Sequence, residues 1–251
     1  MDTTHDTTTD PEVLKALALA REGTAYFERA LDALSDEEFD AQSLLPGWSR
    51  RHVIAHVGYN AQGIRRLAEW AATGVENPMY ASPAERTDEI EKGTALAASE
   101  LRRLNTRASE ELDLAWRGLT DDAWHSEVRT MYGVPIATTK TIWMRTREVW
   151  LHTVDLDSGA SYDDFPAGLI DHLLADVLST WRGRQAAEGL PNVVLAPTDR
   201  DTVRAVGDVD DPAAIALRGT ATNLARWATG RGSAGVATVS GDPVPEPARW
   251  L

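Results

Sequence analysis

Two pairs of titratable residues have a spacing that could hold a metal ion. His52 and His56 are four residues apart, and so are Glu148 and His152. Residues four apart lie on the same face of an α-helix, so each pair could present two donor groups in one direction. Imidazole nitrogens and carboxylate oxygens are common ligands of zinc in proteins. The spacing is therefore compatible with a metal site built from two helices.

Each pair taken alone is weak evidence for such a site. A single histidine on a helix is more often solvated or hydrogen-bonded than a ligand, and glutamate is common on exposed helical faces. The prediction gains weight because two pairs occur in a chain that has only six histidines. A His, Glu, His set leaves the fourth tetrahedral position of zinc open, which is typical of catalytic rather than structural sites.

Helical geometry separates the two histidines of the first pair. The apolar stripe of this segment consists of Val53, Val57, Ile64 and Leu67. At about 100° per residue, His56 falls roughly 60° from the centre of the stripe and His52 roughly 100° from it. We therefore expect His56 to face the interior as a candidate ligand and His52 to lie at the rim. Glu148 and His152 flank the apolar stripe of their own segment.

Composition limits the chemistry further. The 251 residues include no cysteine, which excludes disulfides, a cysteine nucleophile and a thiolate metal site. A reaction that needs a thiol must take it from a small molecule. The net charge of −14 disfavours nucleic acids and anionic membrane surfaces as partners, so an anionic substrate needs locally placed arginine. The acidic start of the chain and the lack of a long apolar run predict a cytoplasmic protein without membrane spans.

The elements that must position these residues are long amphipathic helices. Apolar periodicity and capping residues predict four of them, over about 11–34, 49–73, 83–117 and 138–156. Residues 1–9 are predicted to be a disordered tail, and 128–136 a loop or irregular hairpin. Four long helices with modest connections predict a four-helix bundle over residues 1–160, with the two pairs on its second and fourth helices.

A different pattern follows in residues 161–251. One helix over about 165–186 precedes short β-like runs and a short helix, which predicts a small α+β domain. Arg231 stands between two glycines, which let the backbone approach a ligand closely while the cation points outward. A plain surface turn is the alternative interpretation, and Arg226 lies nearby in the short helix. The whole chain is thus predicted to be an α+β protein.

Several segments resemble the mycothiol-dependent maleylpyruvate isomerases. They are Leu45–Val57, Asn77–Tyr80, Trp143–His152, Gly230–Gly232 and Val244–Leu251. The resemblance extends over nearly the whole chain, which is more specific than membership of the broader DinB-like superfamily of metal-binding bundles. It implies a DinB-like four-helix bundle followed by a C-terminal domain similar in outline to sterol-carrier folds.

The resemblance also implies roles for individual residues. His56, Glu148 and His152 would bind a divalent metal, normally zinc, and Arg231 would be important for activity. Arg226 is the alternative for the arginine role. The active site is then expected between the metal of the bundle and the C-terminal domain.

The implied reaction is the cis–trans isomerisation of maleylpyruvate to fumarylpyruvate, a step of gentisate-type aromatic degradation. A metal-activated mycothiol thiolate adds to the double bond, the resulting single bond rotates, and elimination gives the trans isomer. Mycothiol must supply the sulfur because the chain has no cysteine. The expected partners are therefore a small dicarboxylate and a low-molecular-weight thiol.

Two other functions stay open on the sequence. A mycothiol S-transferase of the same superfamily would share His56, Glu148 and His152 and differ in its substrate pocket. A non-catalytic, metal-stabilised binding protein would have a closed metal site. Its fourth protein ligand would be His52 or Asp155.

Overall fold

The computed structural model describes residues 5–250 and confirms the predicted α+β class. Its helices are α1 (Pro11–Ala33), α2 (Arg50–Thr73), α3 (Pro83–Thr94), α4 (Ala98–Arg117), α5 (Asp121–His125), α6 (Thr139–Asp155), α7 (Ala167–Glu188) and α8 (Ala221–Ala228). Its strands are β1 (Glu127–Arg129), β2 (Pro135–Ala137), β3 (Val193–Pro197), β4 (Arg204–Val206), β5 (Ile215–Gly219) and β6 (Ala237–Thr238). The chain divides into two compact units between Ala160 and Ser161.

The first unit is a four-helix bundle formed by α1, α2, α4 and α6. Helix α2 packs against α4 and α6, and α1 packs against α6. Their apolar stripes meet in one core, to which Leu17, Ile64, Leu112 and Ile142 contribute fully buried side chains. The packing of α2 against α6 matters most for function, because these two helices carry the residue pairs singled out in the sequence.

Helix α2 begins and ends where its capping residues predict. Ser49 is its N-cap, and Gly74 closes it in the left-handed conformation with a φ of 70°. Helix α6 follows a short antiparallel hairpin in which Val128 pairs with Ile136. The predicted loop or hairpin over 128–136 is thus a hairpin, and it leads directly into the helix that carries Glu148.

The prediction of one helix over 83–117 is wrong, because α3 ends at Thr94 and α4 begins at Ala98. The Glu100 carboxylate accepts a hydrogen bond from the Ala97 backbone N–H (2.8 Å), which starts a new helix there. Near the end of α3, Gly93 lies so close to α2 that a Cβ atom would be 2.6 Å from the Cβ of Ala55. The break therefore lets α3 lie on the outside of α2.

The prediction of a disordered tail is wrong for residues 5–9, whereas 1–4 lie outside the described residues. The Asp6 carboxylate accepts two hydrogen bonds from the Arg21 guanidinium, at 2.6 and 2.8 Å. Thr8 is buried, and its hydroxyl donates to the Asp121 carboxylate. Polar contacts of this kind, between positions far apart in the chain, leave no periodic signal in the sequence.

The second unit has a four-stranded sheet in the order β4-β3-β5-β6. The central strands β3 and β5 are parallel, and the outer pairings are antiparallel. Helices α7 and α8 pack together and against the sheet. The indoles of Trp181 and Trp227 meet edge to face at 5.8 Å and donate to the carbonyls of Ala248 and Pro245, which fixes the segment after β6. Every helix found in residues 5–250 is too short or too polar to span a lipid bilayer.

Candidate metal centre

Three predicted ligands come together where α2 faces α6. His56 Nε2 lies 2.8 Å from Glu148 Oε2, and His152 Nε2 lies 3.1 Å from the same oxygen. One donor atom from each of the three residues falls within 4.8 Å of the others. Within residues 5–250, no other group of three or more His, Asp or Glu side chains converges in this way. We call His56, Glu148 and His152 the triad.

The triad lies at the edge of the bundle interior. The side chain of His56 is 4% exposed, and those of Glu148 and His152 are 15% and 12% exposed. This placement agrees with the helical geometry that put His56 toward the core. Donors buried this far are held in fixed positions, and Glu148 and His152 keep a small exposed fraction.

Asp155 fixes the ring of His152 from the far side. Its Oδ2 atom accepts a hydrogen bond from His152 Nδ1 (2.9 Å), and the Asp155 side chain is fully buried. A carboxylate on the second ring nitrogen of a histidine is a common support for a metal ligand, because it sets the ring orientation. Asp155 binds Nδ1, whereas the triad converges on Nε2. It is therefore a support of His152 and not the fourth ligand that a closed site would need.

Arg86 of α3 contacts the other histidine. Its Nη2 atom lies 3.2 Å from His56 Nδ1. A guanidinium only donates hydrogen bonds, so Nδ1 accepts and the ring proton of a neutral His56 sits on Nε2, facing Glu148. The sequence offered no signal for this contact, because Arg86 follows His56 by thirty positions on a separate helix.

The pKa values of the triad follow from burial and from these hydrogen bonds. Burial lowers the pKa of His56 to about 4, so this ring is neutral. Burial opposes the charged form of Glu148, but hydrogen bonds from His152 and His56 outweigh it and hold the Glu148 pKa well below its usual range. Burial also opposes a charged His152, yet its hydrogen bonds to Asp155 and Glu148 raise the pKa of this ring.

His52 has a different task, at the start of α2. Its Nδ1 atom accepts a hydrogen bond from the Ser49 backbone N–H (3.1 Å), in the position that glutamate usually takes in a capping box. Its ring stacks on Trp48 at 6.0 Å, and Trp48 also meets His56 edge-on at 5.6 Å. His52 therefore lies at the rim, as the helical geometry predicts, and Trp48 covers the His56 ring.

The second unit contains both candidate arginines. Arg231 lies between Gly230 and Gly232, whose φ angles of 79° and 101° are left-handed, and its Nη1 atom donates to the Thr229 carbonyl (2.7 Å). Arg226 donates to Asn223 Oδ1 (3.2 Å) and to a backbone carbonyl of the loop that follows α8. The guanidinium of Arg226 thus braces that loop.

Tyr80 is a further residue near the triad that sequence reasoning left without a role. Its side chain is 5% exposed, and its hydroxyl has no hydrogen-bond partner among residues 5–250. Burial raises its pKa to about 12, with opposing contributions from the charges of Arg86 and Glu148. Tyr80 belongs to the Asn77–Tyr80 segment, whose likeness to the family was the signal available in the sequence.

The triad fits a divalent metal. Two imidazole nitrogens and one carboxylate oxygen converge on one point, and Asp155 presets the ring of one histidine. A bundle that presents such donors from facing helices, followed by a small α+β unit, defines a two-part protein with a candidate metal site in its helical part. Glu148 and His152 come from one helical turn of α6, and His56 comes from α2.

Comparison with known proteins identifies the family. A family model described as the mycothiol maleylpyruvate isomerase N-terminal domain matches residues 20–157, and the corresponding C-terminal domain model matches residues 164–248. The chain therefore belongs to the mycothiol maleylpyruvate isomerase family, as the resemblance predicted. No curated protein matches it.

Two solved structures extend this result to three dimensions. One is the crystal structure of a mycothiol-dependent maleylpyruvate isomerase whose sequence is 40% identical to this chain. The two structures superpose with a TM-score of 0.88, and the match covers 95% of this chain and 97% of that chain. A mutant of such an isomerase, with a histidine replaced by alanine, is 39% identical over the same shares, with a TM-score of 0.87.

Proposed function

We propose that this protein isomerises maleylpyruvate to fumarylpyruvate with mycothiol as its thiol cofactor, and that the triad is its metal centre. The observation that carries the proposal is the convergence of His56, Glu148 and His152 in a chain 40% identical to such an isomerase over 95% of its length. The absence of cysteine supports it, because a thiol can then come only from an external molecule.

The residues of the triad would hold a divalent metal, which we propose to be zinc. Two nitrogens and one oxygen match the donor preference of zinc and leave a position for an exogenous group. When bound, the metal lowers the pKa of the cofactor thiol, whose sulfur adds reversibly to the double bond so that rotation becomes possible.

The surrounding residues prepare the triad for this chemistry. Asp155 keeps the proton of His152 on Nδ1 and so leaves the Nε2 lone pair for the metal. Trp48 covers the ring of His56, which excludes water from that side. A dry, rigid donor set strengthens the electrostatic interactions on which thiol activation depends.

Arg231 takes the role of the arginine important for activity. Addition of a thiolate to a conjugated double bond moves negative charge onto the carbonyl oxygen, and the substrate itself carries two carboxylates. A guanidinium can pair with a carboxylate or stabilise that developing charge. The left-handed glycines beside Arg231 support the proposal, because they allow a close approach of the backbone to a ligand.

The thiol requirement tests the function directly. Zinc-loaded protein is mixed with maleylpyruvate, with and without mycothiol, and conversion is followed by ultraviolet absorbance. The proposal predicts fumarylpyruvate only when mycothiol is present. Absence of conversion in zinc-loaded protein with mycothiol would refute it, and conjugation of mycothiol to an electrophile in the same preparation would identify an S-transferase instead.

A further inference from the structure

We propose that Arg86 binds a carboxylate of the substrate beside the metal centre. The inference rests on the proposed function and deepens it. It places a substrate-binding residue on α3, a helix that contributes none of the triad residues. The argument starts from the hydrogen bond between Arg86 and His56.

Among the residues that the structure describes, Arg86 has no ion-pair partner. Its guanidinium donates to His56 Nδ1 at 3.2 Å, and within residues 5–250 no carboxylate oxygen lies within 4 Å of it. This is unusual in a chain with 39 acidic and 25 basic side chains, in which most half-buried arginines are paired. Arg21, for comparison, is held by both Asp6 and Asp113. The charge of Arg86 is thus available to an anion.

The contact with His56 is incompatible with metal binding in this geometry. A metal on Nε2 needs the lone pair of that nitrogen, so the proton of a neutral ring must sit on Nδ1. Nδ1 then donates, and the guanidinium, which also only donates, loses its acceptor. With a metal held on Nε2, the guanidinium of Arg86 would therefore need another acceptor next to the triad.

The substrate supplies the acceptor that Arg86 then needs. Maleylpyruvate is a dianion with a carboxylate at each end, and Arg231 can pair with only one of them. Arginine binds carboxylates through two parallel N–H donors, a geometry that a single imidazole nitrogen does not satisfy. The guanidinium of Arg86 lies within hydrogen-bond distance of His56, so a carboxylate bound by Arg86 would lie beside the triad.

Arg86→Met tests the proposal because methionine keeps the length of the side chain and removes every donor. Arg103→Met is the matched control: Arg103 is exposed on α4, and the variant loses the same charge. Two quantities are measured, the zinc dissociation constant by chelator competition and the binding of maleate to zinc-loaded protein by calorimetry. Maleate is a cis-dicarboxylate, and without thiol no reaction accompanies its binding.

The proposal predicts opposite effects of Arg86→Met on the two ligands. Zinc binds as tightly or more tightly, because no hydrogen bond to Arg86 has to break. Maleate binds at least about tenfold more weakly, because a charge-assisted contact is lost. Arg86→Lys recovers part of the maleate affinity, and Arg103→Met changes neither constant.

Three results would overturn the proposal. They are a wild-type protein that fails to bind maleate, an Arg86→Met variant that binds maleate as tightly as wild type does, and an Arg86→Met variant that binds zinc more weakly than wild type does. Weaker zinc binding would show that Arg86 supports His56 as a ligand. These results are distinct from failure of the proposed function. A wild-type protein that binds maleate as described and yet does not isomerise maleylpyruvate with mycothiol refutes the function and leaves the Arg86 site in place.

Discussion

The ring nitrogens of the triad histidines are held by two carboxylates and one guanidinium. Glu148 faces both Nε2 atoms, Asp155 holds His152 Nδ1, and Arg86 holds His56 Nδ1. The two histidines are therefore not equivalent. The ring of His152 is oriented by a carboxylate, whereas the Nδ1 atom of His56 faces a guanidinium, and the proton of His56 would have to lie on Nδ1 for its Nε2 to hold a metal.

Asp155→Asn tests the preset state of His152. Asparagine keeps the shape and an acceptor oxygen but loses the charge that orients and polarises the ring. We expect the metal dissociation constant to rise about 10- to 100-fold, the range typical of such supporting carboxylates. Chelator competition measures it. Asp157→Asn makes the same change at an exposed position two residues later and should leave the constant unaltered. Equal affinity in both variants would contradict the assigned role.

Sequence reasoning reaches part of this residue-scale picture. Spacing and the apolar stripe single out His56, Glu148 and His152, because a helix places such residues by simple geometry. They do not single out Arg86, whose contact with His56 depends on how α3 packs against α2. The support by Asp155 is likewise invisible, since an acid three residues from a histidine is common on helices and only its burial distinguishes it.

At the scale of elements, the break between α3 and α4 places Arg86. The segments of α3 and α4 both have helical periodicity, so the sequence predicts one helix over both. The ends of other helices are predictable from their capping residues, which are Asp10 for α1 and Ser49 and Gly74 for α2. The Ala97–Glu100 contact starts α4 at the break, and the close packing of Gly93 against Ala55 and Tyr59 is a tertiary contact that no local pattern reveals.

Gly93→Ala is expected to destabilise the fold. The new methyl would lie 2.6 Å from the Ala55 Cβ and 2.9 Å from the Tyr59 ring, so α3 must move off α2. We expect a loss of about 1–3 kcal/mol in the free energy of unfolding, measured by chemical denaturation. Gly183→Ala in α7 is the control, because nothing lies within 4 Å of its Cβ position. There the helix propensity of alanine predicts a gain of about 0.5–1 kcal/mol. A neutral Gly93→Ala would contradict the close packing.

The segment before α1 gives a pH-dependent prediction. Hydrogen bonds from Arg21 lower the pKa of Asp6. The pair therefore stabilises the folded state fully at pH values above about 4, the ordinary pKa of aspartate. This stabilisation is lost as the pH falls through the lowered pKa of Asp6. Asp6→Asn should therefore be about 1–2 kcal/mol less stable than wild type at pH 7, with a difference that vanishes in strong acid. Denaturation at several pH values measures this. A difference that does not depend on pH would exclude the ion pair as its cause.

At the scale of the whole molecule, the proposed functions are divided between the two units. All three metal donors belong to the first unit, whereas Arg231 belongs to the second. Sequence reasoning reaches this division because helical periodicity gives way to short β-like runs near residue 160. It does not predict which residues face each other in the sheet, such as Val194 and Ala216, because this register depends on how the strands pair in three dimensions.

Arg231→Ala should separate metal binding from turnover. The variant is expected to bind metal with the wild-type dissociation constant and to lose about 10²- to 10³-fold in kcat, as for other groups that stabilise developing charge. Arg218→Ala, at an exposed position on β5 of the same unit, should leave both quantities unchanged. Full turnover by Arg231→Ala would move the role to Arg226, for which the same pair of measurements would then be made.

The most direct test of the central claim compares bound metal with isomerase turnover in the same preparations. Wild-type protein and His152→Ala are loaded with graded zinc, and metal content and mycothiol-dependent conversion of maleylpyruvate are measured together. We predict that turnover rises in proportion to metal until each chain holds a single ion, that chelation abolishes it, and that His152→Ala loses both metal and turnover. Full turnover by metal-free wild type, or full metal content and turnover in His152→Ala, would contradict the assignment of the triad.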